Sequence, residues 1–251
     1  MLGIAISFCG AGISMLLLFV LSRLANKFFK FNVVEQASVM YSNASYLVIP
    51  IISAILGPEW VIYTCGYVCC QTTFTWTHLV SLMSGENRIS LKNIVRNLNL
   101  ITVAIGMILF ITQIRLPAMI LDPISSIGSC VGAMSMLTLG MSLGNADFKE
   151  IFSNGKAMLV VVCKLIVFPI IITTVLVLIR LGRIFDGAQT VLLITVLTTA
   201  SPTGVIVTQM AQLFDRDKEY AGIINVMGVI FAIFTMPFMA YYYLLLNGII
   251  G

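Results

Sequence analysis

Marked by hydrophobic and polar positions, the chain is a succession of long apolar runs separated by short polar connections. A helix that crosses a bilayer needs about 20 apolar residues, and about eight runs approach or exceed that length. They are A (2–22), B (33–56), C (60–83), D (98–114), E (123–143), F (157–179), G (188–213) and H (220–246). The pattern predicts an all-α polytopic membrane protein. Two runs are interrupted at mid-depth, B by SNASYLVIP (42–50) and G by SPTG (201–204). Pro50 has no N–H to bond the Tyr46 carbonyl, and Pro202 likewise frees the carbonyl of Thr198. Backbone groups freed in hydrocarbon are costly unless a polar partner meets them. Ser42, Asn43 and Ser45 in B, with Thr198, Thr199, Ser201, Thr203 and Gly204 in G, are placed to do so.

Composition sharpens this picture. Of 251 residues, 59% are hydrophobic and 10% charged, and the mean hydropathy is +1.05, too apolar for a domain whose surface must be solvated. The six cysteines fall inside predicted spans without the spacing of a zinc site or a secreted disulfide framework, and read as small packing residues. The opening MLGIAISFCGAG has neither a basic n-region nor a clear cleavage site, so it reads as a span and not a leader. Basic residues gather in alternate connections: Arg23, Lys27 and Lys30 after A; Arg88, Lys92 and Arg96 after C; Lys149 and Lys156 after E; Arg216 and Lys218 after G. The other connections hold Arg115, Arg180 and Arg183. The richer set should face the cytoplasm, which places the C-terminus outside. The net charge of +4 then reflects topology, and nothing points to nucleic acid. ENRISLKNIVRN (86–97) puts Arg88, Lys92 and Arg96 at i, i+4 and i+8, which suits an amphipathic helix at the inner interface or, equally, a solvated linker.

The order of the runs carries a second regularity. Laid on itself without a gap, Asn43 over Ser201, the chain puts A over F, B over G and C over H, with polar break over polar break. The triplets should run oppositely through the membrane, because A descends to the basic Arg23–Lys30 connection whereas F rises from the Lys149–Lys156 one. Inverted repeats with paired broken helices are a signature of secondary transporters, with a midplane site where half-helix N-termini favour an anion and free carbonyls a cation. D and E have no counterparts before A. A five-helix repeat therefore predicts a further helix pair upstream, and a genuine eight-helix variant is the alternative.

At these residues the chain resembles the auxin efflux carrier family. SNASYLVIPIISAILGPE is similar to that family's first proline crossover, SPTGVIVTQMAQLFDRD to its second, and LTLGMSLGN (137–145) to a Leu-Gly helix of its scaffold. The resemblance implies a ten-helix fold of two inverted five-helix repeats, an elevator-like motion of a transport domain against a scaffold, and transport of organic anions such as auxin in plants and small carboxylates in bacteria. On that reading 1–83 (A–C) is the transport-domain part of the first repeat and 84–97 a cytoplasmic linker. Segment 98–145 (D–E) is the scaffold part of the second repeat, and 146–251 (F–H) its transport-domain part. A bacterial cytoplasmic membrane is the expected location.

Single residues add detail. Lys164 in VVCKLIVFP is the basic residue well inside a span, where a buried ammonium needs a partner or a wet cavity. It could be countercharge to a carboxylate or a substitute for a coupling cation, or it could snorkel to the nearer interface. His78, among Thr72, Thr73, Thr75 and Thr77, reads as a satisfied interfacial histidine ahead of a proton relay. Gln209 and Asn225 suit site lining or interhelical glue. Asp122-Pro123 looks like the N-cap and first residue of E, and Gly128, Gly132, Gly140 and Gly144 mark a face for close contact within the fold or in a homodimer through the scaffold helices. The expected substrate-binding residues are Asn43, Ser45, Pro50, Ser201, Pro202, Thr203, Gly204, Lys164 and Gln209. No cofactor or metal site is expected, and coupling to protons or sodium is left open. HExxH and a mid-span carboxylate pair are missing from the sequence, which has one histidine, so an enzyme has no visible machinery. A channel of the same fold or a non-transporting fragment remains the alternative to a carrier.

The topology has a direct check. Single cysteines at Ser90 and Asn247, in a background without the native cysteines, should label from opposite sides of the membrane with an impermeant maleimide. Labelling from one side would remove both the topology and the inverted repeat.

Overall fold

The computed structural model describes residues 2–85, 98–114, 116–144 and 153–250. The linker expected over 84–97 falls almost wholly outside the described residues, as do Arg115, Asn145 and Lys149. Run A forms α1 (Leu2–Phe29), which outlasts its apolar stretch and carries Arg23 and Lys27 on its final turns. A cation there complements the negative end of the helix, and the Arg23 guanidinium lies 4.5 Å over the Phe19 ring. Run B begins as α2 (Val33–Met40), and Asn32 caps it. The Asn32 side chain accepts from the Glu35 N–H, and the Glu35 carboxylate accepts from the Asn32 N–H.

α2 then stops. Tyr41 is extended, a π turn (Ala44–Val48) follows, and α3 (Ile49–Ile55) restarts the helix. The break therefore lies at Ser42-Asn43, upstream of the proline expected to cause it. Pro50 sits in the first turn of α3, where its missing N–H costs least, and the π turn directly before it absorbs the shortfall in the ladder. Run F repeats the device: α8 (Gly155–Val162), a π turn (Cys163–Val167), then α9 (Phe168–Leu178) with Pro169 in its first turn.

Between these, a 3-10 segment (Pro58–Thr64) leads into α4 (Cys65–Phe74), a π turn (Thr75–Leu79) and α5 (Val80–Ser84), which Gly85 ends at φ 74°. Runs D and E are α6 (Leu98–Thr112) and α7 (Ala118–Gly144). α7 corrects the expected cap: it starts ahead of Asp122-Pro123, and Pro123 lies inside it. The Pro117 carbonyl accepts from the N–H groups of both Ile120 and Leu121, so the first turn is already wound before Asp122. Run G is α10 (Ala188–Thr199), an extended stretch through Thr203, and α11 (Val205–Leu213). Run H is α12 (Lys218–Ile250), one helix with Pro237 inside it.

Among the described residues, three helices are long and apolar enough to cross a membrane as single rods: Leu2–Phe29, Gly155–Leu178 and Lys218–Ile249. α1 packs on α4 and α10, and α12 on α8 to α11. The approach of α1 to α4 depends on Gly66, because a Cβ there would lie 2.7 Å from the Ser7 carbonyl carbon. Without a hydrophobic drive between helices in lipid, such close contact supplies much of the cohesion. α6 and α7 lie to one side, where α6 touches α4 and α7 touches the Ala44–Val48 turn. They keep large apolar side chains outward, Met119 at 90% and Ile127 at 73% exposure.

At the basic end of the molecule the Glu35 carboxylate is fully buried. It accepts from the Tyr220 hydroxyl at 2.7 Å and lies 3.2 Å from the Lys156 ammonium, joining α2 to α8 and α12. The two partners differ in weight. Lys156 is half exposed, so its attraction is screened, whereas removing the carboxylate strands the part-buried Tyr220 hydroxyl and a cap N–H. Glu35→Ala should therefore cost about 1–3 kcal/mol and Lys156→Ala under about 1 kcal/mol. Thermal unfolding in detergent reads the difference. Equal losses would mean that the ion pair, and not the buried hydrogen bonds, holds the junction.

Candidate functional site

The two interruptions meet. Ser42 and Thr203 pair as one antiparallel β-bridge in a helical protein, made by the Asn43 N–H donating to the Pro202 carbonyl at 2.8 Å and the Gly204 N–H donating to the Tyr41 carbonyl at 3.0 Å. This exchange answers the cost of unwinding two helices in an apolar interior, since each break satisfies the other's backbone. Gly204 permits it, because a Cβ there would lie 2.9 Å from the Ser42 carbonyl oxygen.

In a bridge of this kind the N–H and carbonyl of Ser42 and Thr203 themselves point away from the partner strand. Side chains reach three of these four groups, both of those on Ser42 and the Thr203 carbonyl. The Gln71 carboxamide on α4 accepts from the Ser42 N–H at 2.9 Å and donates to the Ser42 carbonyl at 2.8 Å. The Asn225 carboxamide on α12 donates to the Thr203 carbonyl at 2.7 Å. The Thr203 hydroxyl donates to the Ser38 carbonyl at 3.1 Å, and the Ser201 hydroxyl donates to the Thr198 carbonyl at 2.9 Å. That last bond meets the carbonyl that Pro202 was expected to free.

Beside the crossing lies a cavity of about 400 Å³. Its walls include Asn43, Ala44, Ser45 and Tyr46 from the restart of run B, and Gly204, Val205, Ile206 and Gln209 from the restart of run G. Gln71, Thr72, Thr75 and Trp76 come from the C rod, and Thr102 from α6. The N-terminal ends of both restarted helices thus line the cavity, so the positive ends of their dipoles face it. Among the described residues the lining carries hydroxyls and carboxamides and no charged side chain. Asn43 is 2% exposed, and neither the oxygen nor the nitrogen of its carboxamide has a partner among the described residues.

Lys164 lies elsewhere, 1% exposed, and is not part of the cavity wall. Its ammonium donates to the Ser42 hydroxyl at 2.7 Å from the π turn of run F. Among the described residues no carboxylate pairs with it. Ser42 Oγ is also 3.4 Å from the Tyr67 hydroxyl and 3.5 Å from the Thr199 carbonyl.

Of the expected site residues, Asn43, Ser45, Gly204 and Gln209 line the cavity. Ser201, Pro202 and Thr203 are buried in the crossing, and Pro50 lies one helical stage beyond it in α3. His78 packs edge-on to Phe19 and lies with Nδ1 3.0 Å from the Tyr41 hydroxyl. Gln71, Tyr46, Trp76, Thr102 and the buried Glu35 went unmarked in the sequence. Glu35 had a readable signal, the Asn32-x-x-Glu35 capping pattern. Gln71 had none, because its partner is a backbone segment on another helix.

Comparison with protein families gives a match to the model described as membrane transport protein over residues 87–240. A comparison with curated proteins finds no match. The matched stretch includes α6 to α11 and most of α12, and so the second of the two interruptions and Asn225, the carboxamide that holds it. Because that match spans more than half of the chain, this integral membrane protein belongs to the membrane transport protein family, the family of the auxin efflux carriers.

Proposed function

We propose that the chain is a secondary transporter that moves a small organic anion or carboxylate by elevator-type alternating access. The observation that carries the reading is the Asn43 carboxamide, buried, without a partner and lining a cavity between two helix N-termini. A buried amide left unmet costs about 1–3 kcal/mol, a cost that a ligand carboxylate accepting its N–H would offset. Helix N-termini favour negative charge, and in a site screened from water they do so without a cationic side chain. Lys164 then acts from the far side of Ser42, where the first halves of both broken helices end and their carbonyls carry negative potential. On this reading it takes the place of a coupling cation, and any coupling to protons or sodium acts around it.

The packing supports a division of labour. α1 to α5 with α8 to α12 are the transport domain, two inverted three-helix units that meet at Ser42 and Thr203. α6 and α7 belong to the scaffold, which presents Thr102 to the cavity. The ten-helix frame would add a helix pair to that scaffold, and the apolar outward faces of α6 and α7 suit either such a pair or a second copy of the chain.

Uptake into proteoliposomes of a panel of radiolabelled mono-, di- and tricarboxylates, with and without imposed proton and sodium gradients, tests the proposal. Saturable, counterflow-competent uptake of one of these acids is expected. Asn43→Ala should lower it by about 10–100-fold, the worth of one hydrogen bond to a charged group, while membrane levels stay near wild type. Pro202→Ala should also impair uptake more than abundance. Preference for cationic solutes, or full uptake by Asn43→Ala, would overturn the assignment.

A further inference from the structure

We infer that Gln71 is the positioning residue of the crossing: its carboxamide acts as a third strand, holding Ser42 extended so that Asn43 faces the cavity and the Ser42 hydroxyl meets Lys164. The inference rests on reading the crossing as the transport site, but its geometry stands independently. One residue has to be extended between two helical segments for the breaks to pair. That residue is Ser42, and the β-bridge uses the N–H and carbonyl of its neighbours, Asn43 and Tyr41, not its own. In hydrocarbon the Ser42 pair would otherwise be stranded on the side away from Thr203.

A carboxamide holds an acceptor and a donor side by side at any pH, as a neighbouring strand would offer them, whereas a carboxyl does so only when protonated. Gln71 uses both on one residue, at 2.9 and 2.8 Å. It keeps a second N–H and a second lone pair, and it borders the cavity beside Asn43. The opposite strand is served by a second carboxamide, Asn225, on the Thr203 carbonyl. In the proposed inverted repeat these two amides stand on corresponding helices, C and H, so each repeat supplies its own clamp from its third helix. The clamps are not equal, because the Thr203 hydroxyl adds its own tie to Ser38 whereas Ser42 has Gln71 on both backbone groups. Loss of Gln71 should therefore loosen the crossing from the B side.

Hydrogen exchange of the full chain in lipid nanodiscs, followed by mass spectrometry, reads this without any substrate. Gln71→Met keeps the volume and removes both bonds. It should speed exchange in peptides spanning 41–47 and 203–207 by about tenfold or more, the equivalent of one hydrogen bond, and leave α1 and α9 unchanged. Gln71→Glu keeps the acceptor for the Ser42 N–H and, once protonated, regains a donor. Its exchange relative to wild type should lie below that of the Met variant and fall further from pH 8 to pH 5. Wild-type protection in Gln71→Met, an equal rise across α1 and α9, or a Gln71→Glu variant no better protected than Met at pH 5 would each overturn the inference. Should the Met variant fail to fold, the pH comparison of Gln71→Glu with wild type decides alone. Failure of carboxylate uptake with protection as expected would remove the transport proposal and keep the clamp.

Discussion

Everything in this molecule answers to one constraint: backbone N–H and carbonyl groups inside a bilayer need partners, and two helices here stop being helices in the middle of apolar runs. The solution is mutual. Tyr41 and Asn43 bond the chain at Gly204 and Pro202, and side chains from α4, α12 and the crossing itself take most of the groups that remain. The surrounding helices can be nearly pure hydrocarbon because the polar burden is gathered at one point. The crossing is consequently buried almost completely, with Ser42, Ser201 and Thr203 at or below 1% exposure.

The same stop and restart sorts charge. Where a helix ends, its carbonyls leave negative potential, and where the next begins, its N–H groups leave positive potential. Two antiparallel interruptions side by side collect both beginnings around Asn43 and Gly204. Lys164 then meets the ending side through Ser42. On the proposed reading, an anion would be favoured on one flank and Lys164 would stand as a cation on the other, with no charged side chain needed among the described residues of the wall.

Much of this was legible in the sequence, and the misses have physical reasons. Polar residues in an apolar run marked both interruptions, because composition alone reveals a polar group with no water. The first break lies at the start of the expected 42–50 stretch and not at its proline, since proline advertises a break and yet rests comfortably past it, as Pro50 does in α3. Asp122-Pro123 carries the same chemistry as a helix start, but Pro117 had already wound the first turn. Gln71 could not have been found: it sits among threonines with no periodicity, and its significance arises only when a strand of another helix comes alongside. Glu35 could have been found from its spacing to Asn32, though not its burial under Tyr220.

The cavity also sets a hydration problem. At liquid density a space of about 400 Å³ corresponds to on the order of ten water molecules. On the proposed reading, a carboxylate that enters would exchange a comparable shell for a few fixed groups: three carboxamides, several hydroxyls and two rows of peptide N–H. A monatomic anion such as chloride presents no flat edge to an amide. An organic acid would bring one, together with an apolar body for Tyr46 and Trp76 to cover. On the proposed reading, selectivity in such a wall would follow how well the fixed groups replace the water each solute gives up, a balance that changing Thr72, Thr75 or Thr102 would tune without touching the crossing.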